Sequence, residues 1–395
     1  MSKQTRVAGA LVGDIKRQPD MRVKYGGLFE AVERRFDLLE VYDASLHGAQ
    51  RYWNALQTFS PSIPRWKEHF FKNVPAFRMR SQAAHKHFRT LQGRADVILQ
   101  LGALFDGTQD AHALPVVLYT DNTTRITARH PGLNRYPFKP AELERWFGYE
   151  AQMYQHAAHI CTRANIVRRS LIADYAVSAE RISVIGAGVN FGRLASPKRI
   201  QRDPGSAFTV LFIGTDFHRK GGDLVLQAFS LLRKLHPDSR LLVVTQDSIP
   251  AGLPREAVRV FAPIWDRAKL EALYRQADVF VLPSRLETWG DVLLEAMSFE
   301  LPCIGVTGQA MEDIIVEGET GFLVPPEQVE DLAHAMIQTL EQPDLCLRMG
   351  QAARLLVDQE FTWDRVVARL KPILDAAAFQ FPVSSRTSSL ERMSV

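Results

Sequence analysis

The stretch Val279-Phe280-Val281-Leu282-Pro283-Ser284-Arg285-Leu286-Glu287-Thr288-Trp289-Gly290-Asp291-Val292-Leu293-Leu294-Glu295-Ala296-Met297 changes character twice. It opens as an unbroken apolar run, the signature of a parallel strand buried on both faces, and Pro283 ends that run. After Gly290, which allows a tight turn, apolar residues recur at helical spacing. The pattern predicts a strand over residues 279–282 and a helix over residues 292–299. Glu287 then falls in the connecting loop and Glu295 in the first turns of the helix. Ligands of open parallel sheets gather beyond the carboxyl ends of the strands. Two carboxylates at different depths there suit sugar hydroxyls, because each can accept two hydroxyl hydrogen bonds. The plainer alternative makes Glu287 a helix-start charge and Glu295 the partner of a buried arginine.

The same rhythm extends in both directions. Residues 208–213, 240–245, 258–261 and 303–306 read as further strands, with helices over 224–235 and 267–277. Earlier in the chain, residues 7–12, 38–42, 97–101, 116–119 and 182–185 read as strands, and no internal repeat is evident. Residues 191–206 are polar and basic and include Pro197, Pro204 and Gly205, which reads as a linker. With 395 residues, more than one core usually accommodates, the expectation is an α/β chain of two doubly wound domains. The serine-rich residues 383–395 read as a disordered tail.

A second chemical signal follows the strand at 208–213. Gly214-Thr-Asp-Phe-His-Arg219-Lys220-Gly221-Gly222 leads directly into a helix. A pyrophosphate needs compact positive charge and free backbone N–H groups, and paired cations at a glycine-opened helix start supply both. The alternative is an exposed basic turn closed by glycine. The loop is neither a Walker A sequence nor a GxGxxG fingerprint.

Composition limits the partners. A net charge of +4 on 395 residues does not favour a nucleic-acid binder. Hydrophobic residues at 46% and charged residues at 23% are ordinary for a globular chain. Cys161, Cys303 and Cys346 are odd in number and lack CxxC spacing, arguing against disulfides or a zinc site and for a reducing compartment. Asp14 interrupts the N-terminal apolar run too early for a secretory signal, so a cytoplasmic chain is expected. Residues 51–89 stand apart, with eight Lys or Arg against the single acid Glu68, interleaved with Tyr52, Trp53, Trp66, Phe70 and Phe71. This reads either as a patch for an anionic membrane surface or anionic acceptor, or as a solvated helical face with its aromatics in the core.

Taken in order, these motifs resemble the retaining glycosyltransferases of family 4, over about residues 208–324. The resemblance rests on the Gly214 to Gly222 loop, Leu273-Tyr274 through Ala277-Asp278 to Pro283-Ser284, the two glutamates, and Thr320-Gly321-Phe322-Leu323-Val324. Phe361-Thr362-Trp363 before a final helix resembles the family's terminal helix.

The resemblance implies the GT-B fold, two Rossmann-like doubly wound domains facing across a cleft. It divides the chain into an acceptor domain (1–195), a donor domain (206–360) and a terminal helix crossing back to the first domain (361–380). It further implies that Arg219 and Lys220 bind the diphosphate of a UDP- or GDP-sugar, Glu287 the transferred sugar and Glu295 the ribose. Gly214, Thr288, Trp289, Gly290 and Asp291 would line sugar and phosphate, and residues 262–264, ending in Ile264, would read the base. Gly26-Gly27 resembles the family's glycine-rich loop opening a helix near the phosphates, with an ordinary turn as the alternative.

Some positions depart from the family pattern. Thr215 stands where many relatives have arginine, Glu300 replaces a usual glycine, a usual Gly-Gly is reduced to Gly308 before Asp313, and Thr120 stands where many have histidine. Asp121 is then the candidate polar group of the first domain.

The implied reaction is retaining transfer to an acceptor hydroxyl, without metal or other cofactor, since no DxD motif is present. The acceptor is not legible: a lipid-linked sugar, lipopolysaccharide core, exopolysaccharide precursor and small metabolite all fit. The basic aromatic segment tilts the reading toward a lipid-linked or lipopolysaccharide-like acceptor of envelope polysaccharide or glycolipid synthesis, with the chain peripheral on the inner face of the membrane. A nucleotide-sugar epimerase or hydrolase on the same fold, or a catalytically idle nucleotide-sugar-binding partner protein, are the competing readings.

Overall fold

The computed structural model describes residues 4–109, 114–133, 138–190, 207–249 and 256–380. Two compact units divide the chain, one of Met1–Gly188 with Trp363–Val395 and one of Val189–Thr362. The linker and tail read from residues 191–206 and 383–395 lie outside the described residues.

The first unit runs β1 (Arg6–Leu11), α1 (Pro19–Glu33), β2 (Asp37–Asp43), α2 (Gly48–Gln57), α3 (Ile63–Phe71), α4 (Val74–Arg89), β3 (Val97–Leu101) and β4 (Val116–Thr120). It continues through α5 (Thr124–Ala128), α6 (Pro140–His156), β5 (His159–Thr162), α7 (Asn165–Tyr175) and β6 (Ile182–Val184). Among the described residues its strands form a parallel sheet in the order β2-β1-β3-β4-β5-β6. Every residue of β3 and β4 is buried, as a parallel sheet covered on both faces requires. The chain steps outward to β2 and then returns across β1 to β3, so its order reverses between β1 and β3.

The second unit runs β7 (Thr209–Ile213), α8 (Gly222–Leu235), β8 (Arg240–Val244), β9 (Val258–Phe261), α9 (Arg267–Gln276) and β10 (Val279–Val281). It continues through α10 (Asp291–Ser298), β11 (Cys303–Val306), β12 (Gly321–Val324), α11 (Val329–Glu341) and α12 (Pro343–Glu360). Its strand order, β12-β11-β10-β7-β8-β9, is that of the doubly wound dinucleotide-binding sheet. The order reverses between β7 and β10, which pair in parallel. The loops leaving these two strands therefore lie side by side, although much of the unit separates them in sequence. The three cysteines are buried and not in disulfides, Cys161 in the first unit and Cys303 and Cys346 in the second.

The final helix, α13 (Trp363–Gln380), belongs to the first unit. Its Val366, Val367, Leu370 and Leu374 are fully buried. Arg34 and Arg35 of α1 both reach its Asp364, at 3.1 and 2.6 Å.

This packing corrects one sequence expectation. Gly26-Gly27 opens no helix, because α1 has already begun at Pro19, a residue whose fixed φ suits the first helical turn. The pair lies in the helix interior. A Cβ on Gly27 would stand 2.5 Å from Trp363 Cδ1, and one on Gly188 2.5 Å from the Trp363 backbone nitrogen. These glycines seat a tryptophan.

Candidate active site

The site of the second unit is assembled where its strand order reverses. Leaving β7, Gly214 donates its N–H to the Val244 carbonyl at 2.9 Å. Asp216 then ties the loop down, accepting from Arg219 N at 3.2 Å and from Arg219 Nε at 3.0 Å. A Cβ on Gly214 would lie 2.8 Å from that of Lys220, so the bare glycine lets the lysine stem lie against the strand end. Gly221 caps α8 with φ of +76°, and a Cβ there would stand 2.1 Å from the Pro283 carbonyl oxygen. Only glycine meets both demands, and so the first loop touches the loop leaving β10.

Arg219 and Lys220 turn out to be unlike. Arg219 is only 4% exposed, and its Nη1 donates to the Leu286 carbonyl at 2.9 Å while its own carbonyl accepts from Arg285 N at 2.9 Å. Through these bonds it joins the two loops. Lys220 forms a close ion pair with Glu287, with both side chains largely buried. Ser284 Oγ lies 3.5 Å from the same Glu287 oxygen. Glu287 is braced through its main chain by Gln309 Oε1 at 3.0 Å and by Ala310 N at 3.1 Å.

Gly290 caps α10 with φ of −153°, outside the left-handed region that favours glycine. A Cβ there would press on Leu293. Asp291 occupies the first turn, Trp289 is buried with its ring edge-on to Phe361, and Thr288 is half-buried. Glu295 meets α9 instead of the first loop: Tyr274 donates its hydroxyl at 2.9 Å and Arg267 Nη1 lies at 3.3 Å. The plainer alternative gave Glu295 a buried arginine as partner, whereas Arg267 is about one third exposed, with 34% of its side chain accessible. Burial pushes the Glu295 carboxyl up to about 7, with Arg267 and the Tyr274 hydrogen bond opposing the rise. Ile264 is half-buried in the connection from β9 to α9, close in sequence to Arg267.

In the first unit, Asp121 follows β4, with Lys24 Nζ of α1 at 3.4 Å. Burial opposes charge on this carboxyl, but Lys24 and Arg163 outweigh it and hold Asp121 far below the usual carboxylate range. Thr120, the end of β4, turns its hydroxyl onto the Asn122 carbonyl at 2.9 Å.

Sequence reasoning passed over Lys24, Arg163, Arg267 and Arg285. Arg285 holds Asp223 of α8 through two bonds of 2.6 and 2.8 Å, fixing the loop that carries Glu287 to the helix that follows Lys220. Its place in Pro283-Ser284-Arg285-Leu286-Glu287 was the available signal. Arg163 directly follows β5, whose four residues begin with histidine and were not read as a strand.

With this geometry in view, the likenesses to known proteins are coherent. Residues 197–356 match the model of the family Glycosyl transferases group 1. D-inositol 3-phosphate glycosyltransferase of Corynebacterium aurimucosum is 28% identical over 336 residues, covering 79% of this chain and 76% of that protein. Proteins of the same name from Streptomyces scabiei and Pseudarthrobacter chlorophenolicus, 27% and 28% identical over 58% and 55% of this chain, are matched over 56% of their own length. Among solved structures, sucrose-phosphate synthase from Thermosynechococcus elongatus superposes with a TM-score of 0.65 at 17% identity, over 96% of this chain and 100% of that one. Anabaena HepE in complex with UDP gives 0.62 at 16% identity, over 94% and 100%. The fold is that of the GT-B glycosyltransferases, and the group 1 domain matched by residues 197–356 indicates a transferase enzyme. Its second unit carries a glycosyltransferase group 1 domain.

Proposed function

We propose that the chain moves a sugar from a UDP- or GDP-sugar to an acceptor hydroxyl, with retention of configuration. The observation that carries this reading is the convergence of Lys220 and Glu287 where the strand order reverses, beside the helix that bears Glu295. As the bond from the anomeric carbon to phosphate breaks, negative charge grows on the diphosphate. Lys220 and the N-terminal ends of α8 and α10 would stabilise that charge, with no metal assigned. Glu287, paired with Lys220, would exchange part of that contact for sugar hydroxyls as the phosphate takes the ammonium. Glu295, as the carboxylate, would accept from the ribose hydroxyls.

Arg219 enters as a positioning residue, holding the loop of Glu287 in register with the loop of Lys220. In the first unit, Asp121 stays ionised beside Lys24 and would orient the sugar or the acceptor. The leaving phosphate oxygen would take the acceptor proton, so no side chain is assigned as general base. UDP in the HepE complex supports a nucleotide donor of this kind. The setting we favour is envelope polysaccharide or glycolipid synthesis.

The test is mass spectrometry of the purified chain with a panel of UDP- and GDP-sugars, scoring binding and slow donor hydrolysis, followed by transfer assays. Lys220→Ala and Glu295→Ala should each lower transfer by about a hundredfold or more without unfolding the protein. Unchanged kinetics in both variants would sink the reading.

A further inference from the structure

The helices α2 and α3 are amphipathic in the wrong direction for a water-facing surface. Two hydrogen bonds join them: Asn54, the buried residue of α2, donates to the Phe70 carbonyl at 2.9 Å, and Trp66 Nε1 to the Ala55 carbonyl at 3.1 Å. No residue of α3 is fully buried. Tyr52 and Leu56 of α2, Phe59 of the connection and Ile63 of α3 instead face outward, 74%, 78%, 67% and 74% exposed, while Trp66, Phe70 and Phe71 are half-buried and Trp66 meets the Phe59 ring edge-on. A surface helix ordinarily turns its apolar stripe to the core. Here Tyr52, Leu56, Phe59 and Ile63 are left outside.

The charges around this face carry one sign. Arg51, Arg65 and Lys67 are exposed on the same two helices, and the acid Glu68 is met by Lys72 at 3.9 Å. Arg80, which the sequence places among the segment's cations, is instead buried, donating to the Phe71 carbonyl at 2.7 Å behind the hairpin. Among the described residues no helix is long and apolar enough to cross a membrane.

We propose that the α2–α3 hairpin docks this protein onto an anionic lipid surface. Leu56, Phe59 and Ile63 would enter the boundary between headgroups and acyl chains, Tyr52 would sit at headgroup level, and Arg51, Arg65 and Lys67 would meet lipid phosphates. Apolar insertion and charge attraction act together in such binding, and the hairpin offers both on one face. A protein partner would have to bring both acids and an apolar face to this hairpin, whereas an anionic lipid surface supplies both at once. The inference does not depend on the donor chemistry proposed above.

The test is flotation of the full chain with phosphatidylcholine vesicles, with and without about 30 mol % phosphatidylglycerol. The wild-type chain should bind the anionic vesicles at least about tenfold more strongly than the neutral ones, and lose most of that binding near 0.5 M salt. Leu56→Asp/Phe59→Asp and Arg65→Glu/Lys67→Glu should each weaken binding by about tenfold or more, with unchanged circular dichroism and unchanged donor binding in the absence of vesicles. Failure of the wild-type chain to bind anionic vesicles, or equal binding by both variants, would overturn the proposal. So would a wild-type dimer in solution that Leu56→Asp/Phe59→Asp converts to monomer without any vesicle binding, since the face would then join two copies.

Discussion

Gly221 answers to two constraints, a left-handed φ and the Pro283 carbonyl pressed against its Cα. Ala at this position would pay a conformational cost and force two loops apart. Gly221→Ala is expected to lose about 2–4 kcal/mol in denaturant unfolding, and to lose transfer activity through the displaced Lys220 and Glu287. Glu295 yields a prediction of a different kind. Its carboxyl keeps its proton from the ordinary 4.5 up to about 7, a range in which the unfolded chain has already released it. The stability this group contributes is therefore full below that window and is lost as pH rises through it. Glu295→Gln should remove that decline, so its unfolding midpoint should gain on the wild type as pH is raised from about 5 to about 8. Donor affinity of the wild type, read by calorimetry, should move oppositely and tighten over the same range, because only the carboxylate accepts from both ribose hydroxyls.

The helix α10 ends in a turn of the type that glycine usually makes. Glu300 N bonds the Met297 carbonyl at 3.0 Å, Leu301 N bonds the Ala296 carbonyl at 3.2 Å, and Glu300 has φ of 59°. The sequence had marked Glu300 as standing where a glycine is usual, and the left-handed backbone gives the physical reason for that usage. Glu300→Gly should stabilise the chain by up to about 1 kcal/mol in thermal or denaturant unfolding, with transfer unchanged. Legibility followed the same logic of local against distant causes. The strand 303–306 was read to the residue, and 279–282 nearly so, because an unbroken apolar run bounded by a turn carries its own evidence. β5 escaped because its four residues open with His159 and follow a helix without a strong turn signal. The two glutamates and Lys220 were legible as chemistry, but the partner of each was not, since pairing Lys220 with Glu287 depends on sheet order. Gly26-Gly27 misled because the packing need it serves, the ring of Trp363, lies at the other end of the chain.

At the scale of the molecule, the first unit is completed by α13, the last helix among the described residues. Val366, Val367, Leu370 and Leu374 of α13 are buried against it. At about 1.5–3 kcal/mol for each such side chain, their removal would forfeit roughly 6–12 kcal/mol, comparable with the whole stability of an ordinary domain. A chain ending at Thr362 should therefore be recovered as aggregate, or show loss of the first unit's cooperative transition in calorimetry. The interior thiols give the two halves separate voices. Burial keeps Cys161 and Cys303 protonated far into alkaline conditions, and Cys346 is likewise shut away. An alkylating reagent can reach them only when the surrounding fold breathes open. Modification of Cys161 would then clock one half and modification of Cys303 and Cys346 the other, with no engineered label.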